Sequence, residues 1–158
     1  MFSIYLISST TLAFLLVCFS FLNKNYFLIK LGFVSNYLIF IISYAYTCMI
    51  NPGIPQRQYY IPNFFNKIGD DKKMWQKCSK CNILIPKSFK VIHCNICQIC
   101  VREQDHHCPW TGKCIGKFNL ISFYIFVNSL LIYLLMIFVT FYSYMFYNYK
   151  QNKFQRNK

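Results

Sequence analysis

Three long stretches without a charged residue constrain this chain of 158 residues more than any other feature. They cover residues 1–22, 31–50 and 118–149. A helix of about 20 residues extends about 30 Å, the thickness of a bilayer's hydrocarbon core. We therefore predict three membrane-spanning helices. A signal peptide is the alternative for the first, but a basic start, a short apolar core and a cleavage site are not evident.

The segment between the second and third stretches has the opposite character. Residues 57–117 hold eleven Lys or Arg against four Asp or Glu, a net charge of +7, with seven of the nine cysteines and all three histidines. Because positively charged loops face the cytoplasm, we expect a multi-pass α-helical integral membrane protein with a small cysteine-rich cytoplasmic domain of little regular structure. No internal repeat is found.

The predicted organisation has seven parts. They are a first transmembrane span (1–22), a connector (23–30), a second span (31–50), a linker (51–56), the cysteine-rich domain (57–117), a third span (118–149) and a basic tail (150–158).

Ten thiol or imidazole side chains lie within 37 residues of the cysteine-rich domain. They are Cys78, Cys81, His93, Cys94, Cys97, Cys100, His106, His107, Cys108 and Cys114. Repeated Cys-x-x-Cys spacing is typical of structural zinc, which takes four such ligands tetrahedrally. Two zinc ions use eight donors and would stabilise the domain. Disulfides are disfavoured in a reducing cytoplasm, and iron–sulfur ligation would leave the histidines unused.

The run Asp105-His106-His107-Cys108 is where two donors are left over. A carboxylate that orients an imidazole, an imidazole that takes a proton, and a thiol are the parts of Cys-His-Asp catalysis. The alternative is that all four side chains bind metal or support the residues that do. Spacing alone leaves both interpretations open.

These residues resemble the Asp-His-His-Cys (DHHC) family of protein S-acyltransferases, the palmitoyltransferases. The resemblance covers about residues 51–123. It rests on Asp105 to Trp110, on Cys114-Ile115-Gly116 with Asn119, on Cys78-x-x-Cys81, Pro86 and His93-Cys94-x-x-Cys97-x-x-Cys100, and on Asn51-Pro52-Gly53 after the second span.

The resemblance implies an enzyme in which Cys108 is the nucleophile, His106 the general base and Asp105 the residue that orients His106. It implies two structural Zn²⁺ ions, with the following ligands. One ion would take Cys78, Cys81, His93 and Cys100, and the other Cys94, Cys97, His107 and Cys114. Asn119 resembles a position that supports the packing of the domain on the third span.

The resemblance also implies the reaction and its partners. A fatty acyl group would pass from acyl-CoA (palmitoyl-CoA) through a Cys108 thioester to cytoplasmic cysteines of membrane-associated proteins. The lipid bilayer would surround the spans, in the Golgi or endoplasmic reticulum rather than the plasma membrane. No single CoA-contacting residue is assignable.

The chain departs from the family's pattern in four respects. The loop from Asn82 to Ile92 is two residues longer than usual and lacks the usual Arg after Pro86, and Asn51 replaces an Asp. Gly112-Lys113 stands where many members carry Asn-Asn. The family's fourth span, its Thr-Thr-x-Glu motif and its C-terminal element do not follow the third span here, so we expect a fragment. A short protein paired with a second subunit and a catalytically inactive zinc-binding scaffold are the alternatives. A nucleic-acid binder is disfavoured, because no recognition helix or aromatic–basic motif is present.

Overall fold

The structure, a computed structural model, describes residues 5, 8–12, 27–55 and 74–156. The chain divides into two compact units, which we call the helical unit (residues 1–43 and 124–158) and the cysteine-rich unit (residues 44–123). Of the predicted first span, Tyr5 and residues 8–12 are described, and all are helical. The rest of that span, the connector up to residue 26, and residues 56–73 lie outside the described part.

Two helices within the described residues are long and apolar enough to cross a membrane: α1 (Phe27–Met49) and α2 (Leu120–Arg156). Helix α1 ends just before Asn51-Pro52-Gly53, since proline and glycine both interrupt a helix. The 37 residues of α2 extend about 55 Å, more than a hydrocarbon core of about 30 Å requires. This helix continues into the predicted tail because residues 120–156 contain neither Pro nor Gly.

Aromatic and hydroxyl side chains pack together in the described part of the helical unit. Phe33 and Tyr133 are buried and meet edge to face, with ring centroids 6.2 Å apart. The Tyr133 hydroxyl donates to the carbonyl oxygen of Thr10 at 3.0 Å, and the Tyr37 hydroxyl lies 2.7 Å from Oγ1 of Thr11. Such polar groups bond to one another because lipid offers them no partner.

The cysteine-rich unit has more regular structure than its sequence predicts. Its described residues include six strands, which pair into three antiparallel hairpins, β1–β2, β3–β4 and β5–β6. The strands are β1 (Trp75–Cys78), β2 (Ile83–Pro86), β3 (Val91–Cys94), β4 (Ile99–Arg102), β5 (His106–Cys108) and β6 (Lys113–Ile115). A 3₁₀ turn, Lys87–Phe89, lies between the first two hairpins. Strands of three or four residues are too short to give a clear alternating pattern.

The three hairpins have equivalent turns, although they do not form a repeat of fixed period in the sequence. They run from Cys78 to Cys81, from Cys94 to Cys97 and from Cys108 to Thr111. The residue after each turn has a positive φ: Asn82 (51°), Gln98 (55°) and Gly112 (66°). The three hairpins are unevenly spaced along the chain, because the connection between the first and second hairpins, which contains the 3₁₀ turn, is longer than the next one.

The residues after α1 pack against the last two hairpins. The backbone N–H of Arg102 donates to the carbonyl oxygen of Gly53 at 2.9 Å. A Cβ atom at Gly116 would lie only 2.6 Å from the carbonyl oxygen of Pro52 and 2.6 Å from Cγ1 of Val101. Glycine is therefore required at position 116 for this close approach.

Candidate active site and metal centres

The first group of possible metal ligands joins the first two hairpins. It consists of Cys78, Cys81, His93 and Cys100, whose ligand atoms all lie within 4.8 Å of one another. The turn of β1–β2 supplies two cysteines, and the cross-strand pair His93–Cys100 of β3–β4 supplies the rest. Nδ1 of His93 lies 3.6, 3.2 and 3.8 Å from Sγ of Cys78, Cys81 and Cys100. We call this group site A.

The second group, site B, repeats this construction one hairpin later. It consists of Cys94, Cys97, His107 and Cys114, again with ligand atoms within 4.8 Å of one another. The turn of β3–β4 supplies two cysteines, and the cross-strand pair His107–Cys114 supplies the other ligands. Nδ1 of His107 lies 3.9, 3.2 and 3.9 Å from Sγ of Cys94, Cys97 and Cys114.

The geometry of both sites fits a tetrahedral metal ion. Zn–S bonds of about 2.3 Å and Zn–N bonds of about 2.0 Å place nitrogen and sulfur about 3.5 Å apart. The observed separations, 3.2 to 3.9 Å, lie around that value. All eight cysteines of the described residues are free thiols. Three cysteines and one histidine form a donor set that zinc prefers.

The thiols of each site shift one another's pKa values. Burial, followed by hydrogen bonds with neighbouring thiols, raises the pKa of Cys100 and of Cys114 well above the usual range. Burial also acts to raise the pKa of Cys78 and Cys94, but hydrogen bonds from the Cys81 and Cys97 backbones and from nearby thiols outweigh it and lower both values. Three adjacent thiolates repel one another, so a bound cation would stabilise them.

The alternation of side chains along β5 separates the residues of the Asp105-His106-His107-Cys108 run into two groups. Successive side chains of a strand point to opposite faces, so His106 and Cys108 share one face of β5. His107 points to the other face, towards site B. The carboxylate of Asp105 (Oδ2) lies 2.9 Å from Nδ1 of His106, and Cys108 is 2% exposed. The two donors that sites A and B leave out therefore lie together, next to a carboxylate.

Two further residues, Phe123 and Lys113, lie next to this region. The ring of Phe123, near the start of α2, meets His106 edge on, with ring centroids 5.0 Å apart. Lys113 lies directly opposite Cys108 in the β5–β6 hairpin. The sequence does not indicate a role for Phe123, because this residue falls in an apolar stretch. Lys113 is recognisable in the sequence as a departure from the family's Asn-Asn.

Asn119 lies in the turn between β6 and α2, where its side chain is fully buried and forms hydrogen bonds. Its Nδ2 donates to the carbonyl oxygens of Cys114 at 3.1 Å and Thr47 at 3.4 Å. Its Oδ1 accepts the backbone N–H of Gly116 at 2.9 Å. The side chain thus links the site B hairpin to the last turn of α1.

Comparison with known proteins identifies the class. The family described as DHHC palmitoyltransferase matches residues 71–158. Palmitoyltransferase ZDHHC9 of Homo sapiens is 38% identical over 89 residues, covering 56% of this chain and 24% of that protein. Palmitoyltransferase ZDHHC14 of Mus musculus is 44% identical over 61 residues (39% and 12%). Palmitoyltransferase SWF1 of Saccharomyces cerevisiae is 51% identical over 53 residues (34% and 15%).

The chain belongs to the DHHC palmitoyltransferase family, which confirms the resemblance seen in the sequence. It spans 24% or less of the length of the relatives named above. The family and the two long apolar helices make it a membrane protein, and its two Cys/His sites are each able to hold a metal ion.

Proposed function

We propose that this chain is a protein S-palmitoyltransferase that carries the acyl group on Cys108. The observation that supports the proposal is the arrangement of β5. His106, bonded to Asp105, shares a face with Cys108, whereas His107 lies on the opposite face within site B. A ligand-only arrangement would have no use for the pair His106 and Cys108.

The reaction runs in two balanced steps. In the first, the Cys108 sulfur attacks the thioester carbonyl of palmitoyl-CoA, His106 takes the thiol proton, and CoA leaves as a thiol after receiving that proton. In the second, a substrate thiol gives its proton to His106 and its sulfur attacks the Cys108 thioester carbonyl. The acyl group passes to the substrate, the bond between the acyl carbon and Cys108 breaks, and His106 returns the proton to the Cys108 sulfur. Asp105 holds Nδ1–H of His106, which leaves Nε2 to accept and return the proton.

Sites A and B would each hold one Zn²⁺ ion in a structural role. Each site offers four protein ligands, which fill a tetrahedral ion and leave no position for a substrate. The ions would fix the three hairpins to one another, and the residues of β5 would carry out the acyl transfer.

The membrane arrangement is part of the same proposal. Three spans would place the cysteine-rich unit in the cytoplasm, since residues 57–117 are strongly basic and basic segments stay inside. The acyl chain would lie among apolar helix side chains, and the substrates would be membrane-associated proteins with cytoplasmic cysteines. The Golgi or endoplasmic reticulum is the proposed location.

Covalent labelling tests the proposal. The full chain is expressed in cells fed an alkyne-bearing palmitate analogue, and hydroxylamine-sensitive label is measured. We expect Asp105→Ala to lower the label roughly 10-fold or more, because His106 loses its orienting carboxylate. Glu103→Ala, which removes an exposed carboxylate outside the site, is the matched control and should keep the wild-type label. A wild-type chain that binds zinc and inserts into membranes but takes no label would favour the scaffold.

A further inference from the structure

The side chain of Lys113 ends at the C-terminus of α1. Its Nζ donates to the carbonyl oxygens of Cys48 at 2.7 Å and Ile50 at 2.6 Å. The last carbonyls of a helix have no partner within the helix, and a cation there also meets the negative end of the helix dipole. Because α1 has no basic residue in its own last turn, Lys113 supplies that charge from a distant part of the chain.

Lys113 is also the direct cross-strand partner of Cys108. Paired residues of antiparallel strands lie on the same face, with Cβ atoms about 5 Å apart. In the first two hairpins the equivalent partner is an isoleucine, Ile83 opposite Cys78 and Ile99 opposite Cys94. Among the three hairpins, the one with Cys108 is therefore the one that places a cation opposite its cysteine.

Four side chains bond the end of α1 to the third hairpin and to the turn after it. The Tyr44 hydroxyl and the Cys48 thiol donate to the carbonyl oxygens of Trp110 at 3.5 Å and Thr111 at 3.9 Å, both long contacts, and Asn119 and Lys113 supply the others. Asn119 reaches the carbonyl oxygen of Thr47 at 3.4 Å, which is long for a hydrogen bond. The two bonds from Lys113 are shorter, and charge-assisted bonds are the stronger kind. Lys113 therefore makes the main tie between the last turn of α1 and the strand that faces Cys108.

We propose that Lys113 is a positioning residue for acyl transfer. Its ammonium group, bound to two carbonyls at the end of α1, fixes β6 and with it the place of the Cys108 thiol. This inference rests on the proposed function, since it assigns the residue a part in that reaction. A displacement of about 1 Å in a reacting group can cost about 10²-fold in rate.

Acyl-enzyme formation by the purified full chain tests the proposal. We expect Lys113→Met, which keeps the aliphatic stem, to slow the rate at saturating palmitoyl-CoA by about 10-fold or more. The half-saturating palmitoyl-CoA concentration and the zinc content should stay near the wild-type values. Lys113→Arg should restore most of the rate, because a guanidinium group also donates to two carbonyls.

Two further variants control for charge and for folding. Lys117→Met removes the same charge nearby, where the ammonium contacts exposed Glu103, and should keep the wild-type rate. Lys113→Ile installs the residue that the first two hairpins carry, and should fold and be as slow as Lys113→Met. A wild-type rate in Lys113→Met, or no rescue by arginine, would refute the positioning role. Loss of zinc from both neutral variants would refute it too.

Alkylation of Cys108 gives a readout that does not depend on acyl transfer. Cys108 is 2% exposed, so its reaction with iodoacetamide, mapped by peptide mass spectrometry, reports on how firmly β6 is held. We expect faster alkylation in Lys113→Met and no change in Lys117→Met. If the wild type takes no acyl group and yet this difference is seen, the proposed function fails and the tie at Lys113 stands. If the wild type is acylated and the variants do not differ, the tie fails alone.

Discussion

The second and third hairpins of the cysteine-rich unit share one architecture and differ in their chemistry. Each ends its first strand with a His-Cys pair, and each histidine faces a group of thiols. The second turn, from Cys94, ends in Cys97, whereas the third, from Cys108, ends in Thr111. Cys94 belongs to site B, whereas Cys108 belongs to neither site.

One turn residue accounts for much of this difference. A thiol chelates best with a second thiol three residues later, and Thr111 removes that partner from Cys108. In the part of the chain that the structure describes, the element after β6 is helix α2, so a fourth His–Cys pair does not follow. Cys108 thus occupies the position of a metal ligand without the other ligands, which leaves its thiol available for chemistry.

Serine substitutions at the two equivalent cysteines should give the largest and most divergent effects. We expect Cys108→Ser to reduce acyl-enzyme label by more than about 100-fold, since the proposed nucleophile is lost. Its zinc content should remain at two ions per chain. Cys94→Ser should instead lower the zinc content and destabilise the unit, because a structural site loses a ligand. The measurements are hydroxylamine-sensitive label and zinc per chain.

The zinc content of the two serine variants could contradict the difference between the second and third hairpins. If Cys108→Ser loses zinc, Cys108 is a ligand and the third hairpin does not differ from the second. If Cys94→Ser keeps both ions, site B does not use Cys94.

Thr111→Cys should make the third turn resemble the second. The new thiol would stand three residues after Cys108, the spacing of Cys78–Cys81 and Cys94–Cys97. We expect mild oxidation to remove two free thiols from this variant and to lower its acylation by roughly 10-fold, because Cys-x-x-Cys pairs form disulfides readily. A reductant should restore both. Thr111→Ser, which keeps a hydroxyl near the Cys108 carbonyl, is the control and should be insensitive to oxidation.

Helices α1 and α2 could be predicted from the sequence, and the hairpins could not. Twenty charge-free residues define α1 almost completely, because burial in lipid demands a long apolar run. Strand pairs such as β5–β6 contain three residues per strand. Such short strands carry no apolar pattern that could be read from the sequence, and the turns and the possible metal sites determine which residues pair. The extension of α2 through Lys150 and Lys153 was also not predicted, since a run of charges marks the end of a span but not of a helix.

Counting donors predicted two ions with four ligands each and two donors left over, whereas the identity of the eight ligands came from the family resemblance. The structure brings the same two groups of four residues together. The assignment of each residue to its set came from the family resemblance, because spacing does not tell which turn faces which strand pair. Lys113 and Phe123 could not be assigned roles in this way. Their contacts with the end of α1 and with His106 depend on tertiary packing that no local pattern encodes.

Phe123→Leu should have an intermediate effect that is specific to the third hairpin. The residue of the second hairpin that corresponds to His106 is Ile92, which is exposed, whereas His106 is supported by the Phe123 ring. An edge-to-face ring contact contributes about 0.5–1.5 kcal/mol, so we expect the acylation rate to fall about 2- to 10-fold with zinc unchanged. Tyr at position 123 keeps a ring and should preserve the rate; a rate unaffected by Leu would show that the contact does not support His106.

Glu103 and Lys117 join the exits of the second and third hairpins, and their separation should have the smallest effect. Oε1 of Glu103 accepts a hydrogen bond from Nζ of Lys117 at 2.6 Å, and this bond, with the neighbouring positive charges, lowers the pKa of the Glu103 carboxyl. A lowered carboxyl pKa means that the pair stabilises the fold above the usual pKa of glutamate and loses its effect as the pH falls through the lowered value. Between pH 6 and pH 8 the pair is therefore fully charged.

Glu103→Gln should lower Tm by at most a few degrees, since exposed ion pairs contribute little. The decrease should be the same throughout that pH range. A loss that grows between pH 8 and pH 6 would show that another titrating group joins the two hairpins.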